Sequence, residues 1–466
     1  MIQALRVLAA LTCFFCALCP GFVSGRGFNI PVLRYPRPPS QAHTLYAYES
    51  NVSITNSHEY AYLARIGVGG QDLTVLLDTG SSDLWVVSSE CHEEGCDGVT
   101  KYEPTSSLSL TQTSFDLRYL MGSVAGQVAT EDVTLGTYEI AAQVFALANT
   151  TNGLALAGTG NSGILGLAFP FEASIPSTSG TTLLENIFSA FNDSDKFFAY
   201  RLGRAQTDTS FTIGLLDETI TNSTSDFAFT PVVPAYGSVY DYWKMPLQRL
   251  TINGTAFTLS ASKVPGAQSN VAVLDTGTTL VLGPSGDVDR FWASVGGARK
   301  TDDGWEVRCD RSISVGFVLG QDDSQREYFV DPADVSWKSG SHHSEWCMGG
   351  FQANDGVSAG DWLLGDTFLR NVYVIHQAAT ADRPPTIGLL STTDGETSLA
   401  KFRQERGDDP TPPVPVLSSA PLRRSSALSG GAACGIAAAC GVVFGSVLML
   451  ILWYFGCRVR SKKRSK

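Results

Sequence analysis

Two short segments of the chain carry the same tripeptide in the same setting. Leu76-Leu77-Asp78-Thr79-Gly80-Ser81-Ser82 in the first half is repeated as Val273-Leu274-Asp275-Thr276-Gly277-Thr278-Thr279 in the second. A single Asp-Thr-Gly arises by chance in about one chain in ten of this length and would mean little alone. Each copy, however, is echoed downstream by a glycine-centred apolar segment. Gly163-Ile164-Leu165-Gly166-Leu167 follows the first, with Gly166 lying 88 residues beyond Asp78. Trp362-Leu363-Leu364-Gly365-Asp366 follows the second, with Gly365 lying 90 residues beyond Asp275. The same two signatures in the same order imply two lobes of common architecture.

If the lobes face each other, Asp78 and Asp275 meet across a pseudo-dyad, where two like charges in contact cannot both ionise and one proton is shared. The ionised carboxylate can then take a proton from a bound water while the protonated one hydrogen-bonds a scissile carbonyl oxygen. Gly80 and Gly277 suit a turn where backbone and carboxylate crowd together. Thr79 and Thr276 can cross-link the two loops, and Ser81 and Thr278 can donate to the outer carboxylate oxygens. This chemistry needs no cofactor. No metal is expected either, because the six histidines form no metal-ligand spacing, and they complete no Ser-His-Asp order.

The elements that must position these residues read as β-strands. In a 466-residue chain, 43% hydrophobic and 17% charged residues allow sizeable cores, and 46 glycines favour turns and strands over long helices. From Tyr60 the chain alternates, turns at Gly69-Gly70 and climbs through Leu73, Val75 and Leu77 into Asp78, a hairpin that ends on a carboxylate. This rhythm continues to Leu390. Two stripes, Leu183, Leu184, Ile187, Phe188 and Phe191, and Val288, Phe291, Trp292 and Val295, have helical spacing and read as packing faces. A net charge of −12 argues against a nucleic-acid surface.

Both ends carry apolar runs of different meaning. Residues 1–25 read as a signal peptide, and 26–47 as a leader or short propeptide without periodicity. Residues 48–235 and 236–400 are assigned to the two lobes, and 401–431, rich in Pro, Ser and Ala, to a disordered stalk. Residues 432–456 carry no charge and are long enough to span a bilayer, and the basic tail 457–466 that follows predicts a cytoplasmic carboxyl terminus. The expected product is a secretory-pathway, single-pass type I protein of the plasma membrane or cell surface. It would act as a monomer on polypeptides. Outside the terminal segments lie Cys91, Cys96, Cys309 and Cys347, which allow three pairings, the simplest being Cys91-Cys96 with Cys309-Cys347. Asn51, Asn149, Asn192, Asn222 and Asn253 are glycosylation acceptors that fit a luminal topology.

Over roughly Tyr60 to Leu390 the chain resembles the pepsin-like aspartic peptidases. Asp83-Leu84-Trp85 continues the first motif as that family does, and Phe115 to Gly126 resembles its flap hairpin. The resemblance implies an all-β bilobal fold with a few short helices and an endopeptidase activity. It implies a flap tyrosine at Tyr119 hydrogen-bonded to Trp85, and it supports the simplest disulfide pairing. The family's usual glycine after the tyrosine is displaced, since Leu120 and Met121 precede Gly122. The stalk and anchor are similar to fungal surface proteases of the yapsin type, and a propeptide would bring Arg34 or Arg37 to the dyad. The main alternative is an inactive pepsin-fold protein that binds peptides or inhibits another enzyme, which loss of a dyad residue would favour. A glycosidase would hold its two carboxylates farther apart, and a surface adhesion protein has only the stalk in its support.

Overall fold

A computed structural model describes residues 27–36, 60–338 and 345–407. The signal segment, the rest of the leader, Asn51, Arg37 and residues 408–466, with the membrane span and basic tail assigned there, lie outside the described residues. Among the described residues no helix is long and apolar enough to cross a membrane.

The fold is mostly β and two-lobed. In the amino-terminal lobe an eight-stranded sheet runs in the order Val32–Pro36, Tyr60–Val68, Gln71–Asp78, Gly163–Gly166, Leu84–Val87, Tyr138–Asn152, Ser123–Leu135, Ser109–Arg118. Tyr60–Val68 also pairs with Ser123–Leu135, which closes the sheet on itself. The Gly69-Gly70 hairpin forms where expected, both glycines taking the positive φ that a tight turn requires. The carboxyl-terminal lobe holds a second eight-stranded sheet, in which Lys244–Ile252, Asn270–Leu274, Trp362–Leu364 and Val281–Gly283 are successive neighbours. A four-stranded sheet of Ala298–Thr301, Gly304–Arg308, Trp346–Gly349 and Ser336–Trp337 lies beyond it.

The sequence repeat is a repeat of strand pairing. Gln71–Asp78 runs parallel to Gly163–Gly166 with Asp78 opposite Gly166. Asn270–Leu274 runs parallel to Trp362–Leu364 with Leu274 opposite Leu364. Each lobe therefore delivers its aspartate from the end of one strand, supported by the glycine-centred strand beside it.

A third, six-stranded sheet was not anticipated. Its order is Phe28–Ile30, Ser210–Ile213, Phe197–Arg201, Val372–Gln377, Thr386–Ser391, Ala228–Pro231, so both halves of the chain supply it. Each neighbouring pair in it is antiparallel. It also corrects the reading of 26–47 as an aperiodic leader. Phe28, Ile30 and Val32 are buried while Asn29 and Pro31 are exposed, a strand alternation that the prolines obscure. Arg34 lies within Val32–Pro36, in register with Tyr62.

The expected stalk also begins too early. Residues 401–406 complete a helix, Gly395–Arg406, capped by the Asp394 carboxylate, which accepts from Thr397 N at 2.8 Å. Phe402 is buried, and Arg406 donates to the Ser336 carbonyl at 2.7 Å, which ties this helix to the body. The two predicted helical stripes form Leu183–Ser189, opened by a Thr182/Glu185 capping box, and Ser285–Val295, which buries Val288, Phe291, Trp292 and Val295. Phe191 lies just past the first of these helices and is buried. Disulfides join Cys91 to Cys96 and Cys309 to Cys347. Asn149, Asn192, Asn222 and Asn253 are all exposed, as the modification requires.

Candidate active site

Asp78 and Asp275 sit on facing loops at the floor of a cleft, 4% and 6% exposed. Their environments are equivalent atom by atom. Gly80 N donates to Asp78 Oδ1 at 2.8 Å and Ser81 Oγ to Oδ2 at 2.5 Å. Gly277 N donates to Asp275 Oδ1 at 2.8 Å and Thr278 Oγ1 to Oδ2 at 2.7 Å. The loops are cross-linked by their threonines. Thr79 Oγ1 donates to Leu274 O at 2.8 Å and accepts from Thr276 N at 3.0 Å. Thr276 Oγ1 donates to Leu77 O at 2.8 Å and accepts from Thr79 N at 3.0 Å. Four hydrogen bonds between loops almost two hundred residues apart fix the spacing of the carboxylates before any substrate arrives.

Glycine is required beside each aspartate. A β-carbon on Gly80 would lie 2.6 Å from Asp275 Oδ1, and one on Gly277 would collide with Asp78 Oδ1. The downstream echo has the same steric origin, because a β-carbon on Gly166 would lie 2.5 Å from Asp83 N. Burial pushes the Asp78 carboxyl up to about 8, with the neighbouring Asp275 charge as the second cause and the bonds from Ser81 and Gly80 opposing. The proton so retained belongs to the pair. With one carboxyl protonated and one ionised, the dyad can activate a water and polarise a carbonyl oxygen in one step.

The flap is the hairpin of Ser109–Arg118 and Ser123–Leu135, whose tip is closed by Tyr119 N donating to Gly122 O at 3.0 Å. Gly122 takes φ +86°, and a β-carbon there would also meet Gly153 C at 2.8 Å. Trp85 Nε1 donates to the Tyr119 hydroxyl at 2.7 Å. Burial, then the Asp78 charge, holds that phenol well above its ordinary range, against the hydrogen bond from Trp85. Leu120 and Met121 lengthen the tip and line the cleft, with Leu120 47% exposed. Tyr119→Phe is expected to lower kcat/KM by up to about tenfold, the worth of one hydrogen bond. Trp85→Phe should do the same, and the double variant should be no worse than either single one, because all three remove the same bond. Steady-state kinetics on one peptide checks this.

Several site residues carry no motif. The Tyr200 hydroxyl meets Thr79 beneath the dyad, and burial followed by the Asp275 charge raises its phenol. His376 Nε2 lies 3.2 Å from that hydroxyl, and His376 is fully buried. Asp83 accepts from Ser174 N at 2.7 Å and Ile175 N at 3.1 Å, while Ser82 Oγ donates to Phe169 O at 2.6 Å. The residues just after the first catalytic motif therefore hold the 169–175 segment, which forms one wall of the cleft. That wall carries Glu172, to which the Tyr242 hydroxyl donates at 3.0 Å. Nothing local in the sequence distinguishes Glu172 or His376 from an ordinary surface or core residue.

The cleft encloses about 500 Å³ and is lined by Leu76, Leu117, Leu154, Ile164, Leu280 and Leu363 around the two carboxylates. An extended peptide with apolar side chains fits such a space.

Comparison with known proteins agrees. The sequence profile of the eukaryotic aspartyl proteases matches residues 59–383. Major aspartyl peptidase 1 of Cryptococcus neoformans var. grubii serotype A is 28% identical over 373 residues, 75% of this chain and 72% of that one. An aspartic protease of Phaffia rhodozyma is 29% identical over 351 residues, 73% of this chain and 80% of that one. Bovine pepsin A is 28% identical over 333 residues, 70% of this chain and 84% of that one. With paired, cross-linked aspartates under a tyrosine-bearing flap and a family match over most of its length, this chain belongs to the eukaryotic aspartyl protease family, hydrolases that act on peptide bonds.

Proposed function

We propose that this aspartic endopeptidase works as a membrane-tethered monomer, its catalytic part in the lumen of the secretory pathway or at the cell surface, in the manner of yapsin-type proteases. The observation that carries the tether is the uncharged stretch 432–456 followed by Arg458, Arg460, Lys462, Lys463, Arg464 and Lys466. A luminal setting is supported by the two disulfides of the catalytic part and by four exposed glycosylation acceptors. The substrate is a polypeptide in extended form, which the open cleft admits.

The test uses the full-length chain. It should resist carbonate extraction from membranes, gain mass removable by an N-glycosidase, and cleave an unstructured protein. Extraction by carbonate would sink the tether, and absence of N-glycans would count against the luminal placement.

A further inference from the structure

Two polar side chains of the six-stranded sheet are buried under the dyad loops, and neither enters the hydrolytic chemistry. Tyr200 comes from the strand Phe197–Arg201 and His376 from Val372–Gln377. These strands pair antiparallel with Phe198 opposite His376 and Tyr200 opposite Val374, so Tyr200 and His376 are diagonal neighbours on one face. The first half of the chain supplies the phenol and the second half the imidazole. Their polar atoms meet, His376 Nε2 lying 3.2 Å from the Tyr200 hydroxyl, and both residues are buried. On its other side Tyr200 lines a small cavity with Leu77 and Thr276, residues of the two dyad loops, and its hydroxyl lies against Thr79.

Counting protons fixes the direction of the hydrogen bonds in this group. Thr79 Oγ1 commits its proton to Leu274 O and Thr276 Oγ1 commits its own to Leu77 O, and each accepts one backbone N–H. A threonine so engaged keeps a free lone pair and no free proton, so a phenol facing it can only donate. Burial, followed by the Asp275 and Asp366 charges, keeps that phenol protonated. With its proton directed at the cross-link, the Tyr200 oxygen accepts from His376, which places the imidazole proton on Nε2. The surroundings of the ring agree. Trp243 packs on it at 4.4 Å between ring centroids but donates its indole N–H to Leu167 O at 2.8 Å. His376 Nδ1 finds no partner among the described residues, which suits the bare nitrogen of this tautomer, since an orphaned buried N–H is the rarer defect.

We propose that Tyr200, oriented by His376, is a positioning residue of the dyad, fastening the Thr79 and Thr276 cross-link to the sheet below and aiming a donor dipole at the carboxylates. The relay runs from His376 Nε2–H to the Tyr200 hydroxyl and from there to the cross-link. It transfers no proton and touches no substrate. Its effect is on the two loops, whose relative position the cross-link alone would hold only against each other. The six-stranded sheet is built from both halves of the chain, so a tie to it holds both loops against one common support. A hydroxyl dipole pointing at the pair also favours its ionised member, as hydrogen bonds to a charged form do.

The experiment measures kcat and KM on one peptide, from mildly acidic to alkaline pH, for full-length wild type, Tyr200→Phe, His376→Phe, His376→Gln and the double variant Tyr200→Phe/His376→Phe. Tyr200→Phe keeps the ring and removes only the hydroxyl, so circular dichroism should not change. Its kcat should fall roughly threefold to tenfold, the contribution of one hydrogen bond, with KM close to wild type. The basic limb of its pH profile should move to higher pH, because loss of a donor aimed at the carboxylates favours the protonated pair. His376→Phe should change both quantities in the same direction. His376→Gln, whose amide can donate in place of Nε2, should recover most of the lost kcat. The double variant should fall no further than Tyr200→Phe, because His376 acts through that hydroxyl. Wild-type kcat in Tyr200→Phe overturns the proposal, as does a basic limb that stays in place or moves down. A rise in KM that accounts for the whole loss overturns it too, since the pair would then serve packing alone. Losses that multiply in the double variant, or a His376→Gln no better than His376→Phe, overturn the relay.

Discussion

Asp78→Asn abolishes hydrolysis, with kcat falling at least about 10³-fold and KM close to wild type. The split follows from geometry. The Asp78 carboxylate lies beside the Asp275 loop at the cleft floor, whereas the space open to substrate side chains is lined by residues such as Leu76, Leu117 and Leu154. Asparagine has the same shape and still accepts one of the two bonds from Gly80 N and Ser81 Oγ, so circular dichroism should not change. It cannot take a proton from water. In wild type the same dyad predicts a pH profile. The shared proton is retained until pH rises through about 8, so kcat/KM should stay high across mildly acidic and neutral pH and fall on the basic side. A basic limb that sets in well below neutrality would contradict this placement of the proton. Substantial activity in Asp78→Asn would remove the dyad from the mechanism altogether.

The site and the fold were legible in the sequence to different degrees, and range of interaction decides which. The dyad loops were readable because their constraints are local: the glycine after each Asp-Thr must clear the facing carboxylate, and Gly166 and Gly365 must clear the loops above them. Sterics of that kind dictate residue identity, and the chain states it twice. Tyr119 and Trp85 were readable through the flap's resemblance to a known family. The six-stranded sheet was not. Its strands come from residues 28–30, 197–213, 228–231 and 372–391, and pairing across such distances leaves only an alternation that Pro31 interrupts. The end of the catalytic body was misplaced for a related reason: Gly395–Arg406 is polar apart from Leu399, Ala400 and Phe402, and only Phe402 is buried. Glu172 sits in a turn, and its hydrogen-bond partner Tyr242 is seventy residues away.

His376 follows the buried stretch Val372–Ile375 in one strand and gives no sign of its chemistry until its neighbours are seen. It is packed against Phe198, Tyr200 and Trp243, with ring centroids 4.8, 5.5 and 4.4 Å away, and its Nε2 lies 3.2 Å from the Tyr200 hydroxyl. Its Nδ1 is buried and finds no hydrogen-bond partner among the described residues. Burial alone depresses its basicity well below the ordinary value of 6.5, so the ring is neutral in the fold. The sign of the linkage follows. The unfolded chain takes up a proton as pH drops below about 6.5 and the native chain does not, so stability is present at neutral pH and declines as pH falls. The loss is about 1.4 kcal/mol for each pH unit until the native ring titrates. The dyad acts in the opposite sense, because Asp78 holds its proton to about 8 in the fold and the unfolded chain releases it near 3.8, so stability from this source declines as pH rises across that interval. Together the two groups place the stability maximum in the mildly acidic range. His376→Phe removes one side of this balance. At neutral pH it should cost about 1 kcal/mol through the lost bond to Tyr200, while at pH near 4 the variant should be the more stable of the two because no buried imidazole is left for the unfolded chain to protonate. Urea denaturation of both proteins across this range should therefore give stability curves that cross, and curves that run parallel would show that His376 carries no part of the acid sensitivity.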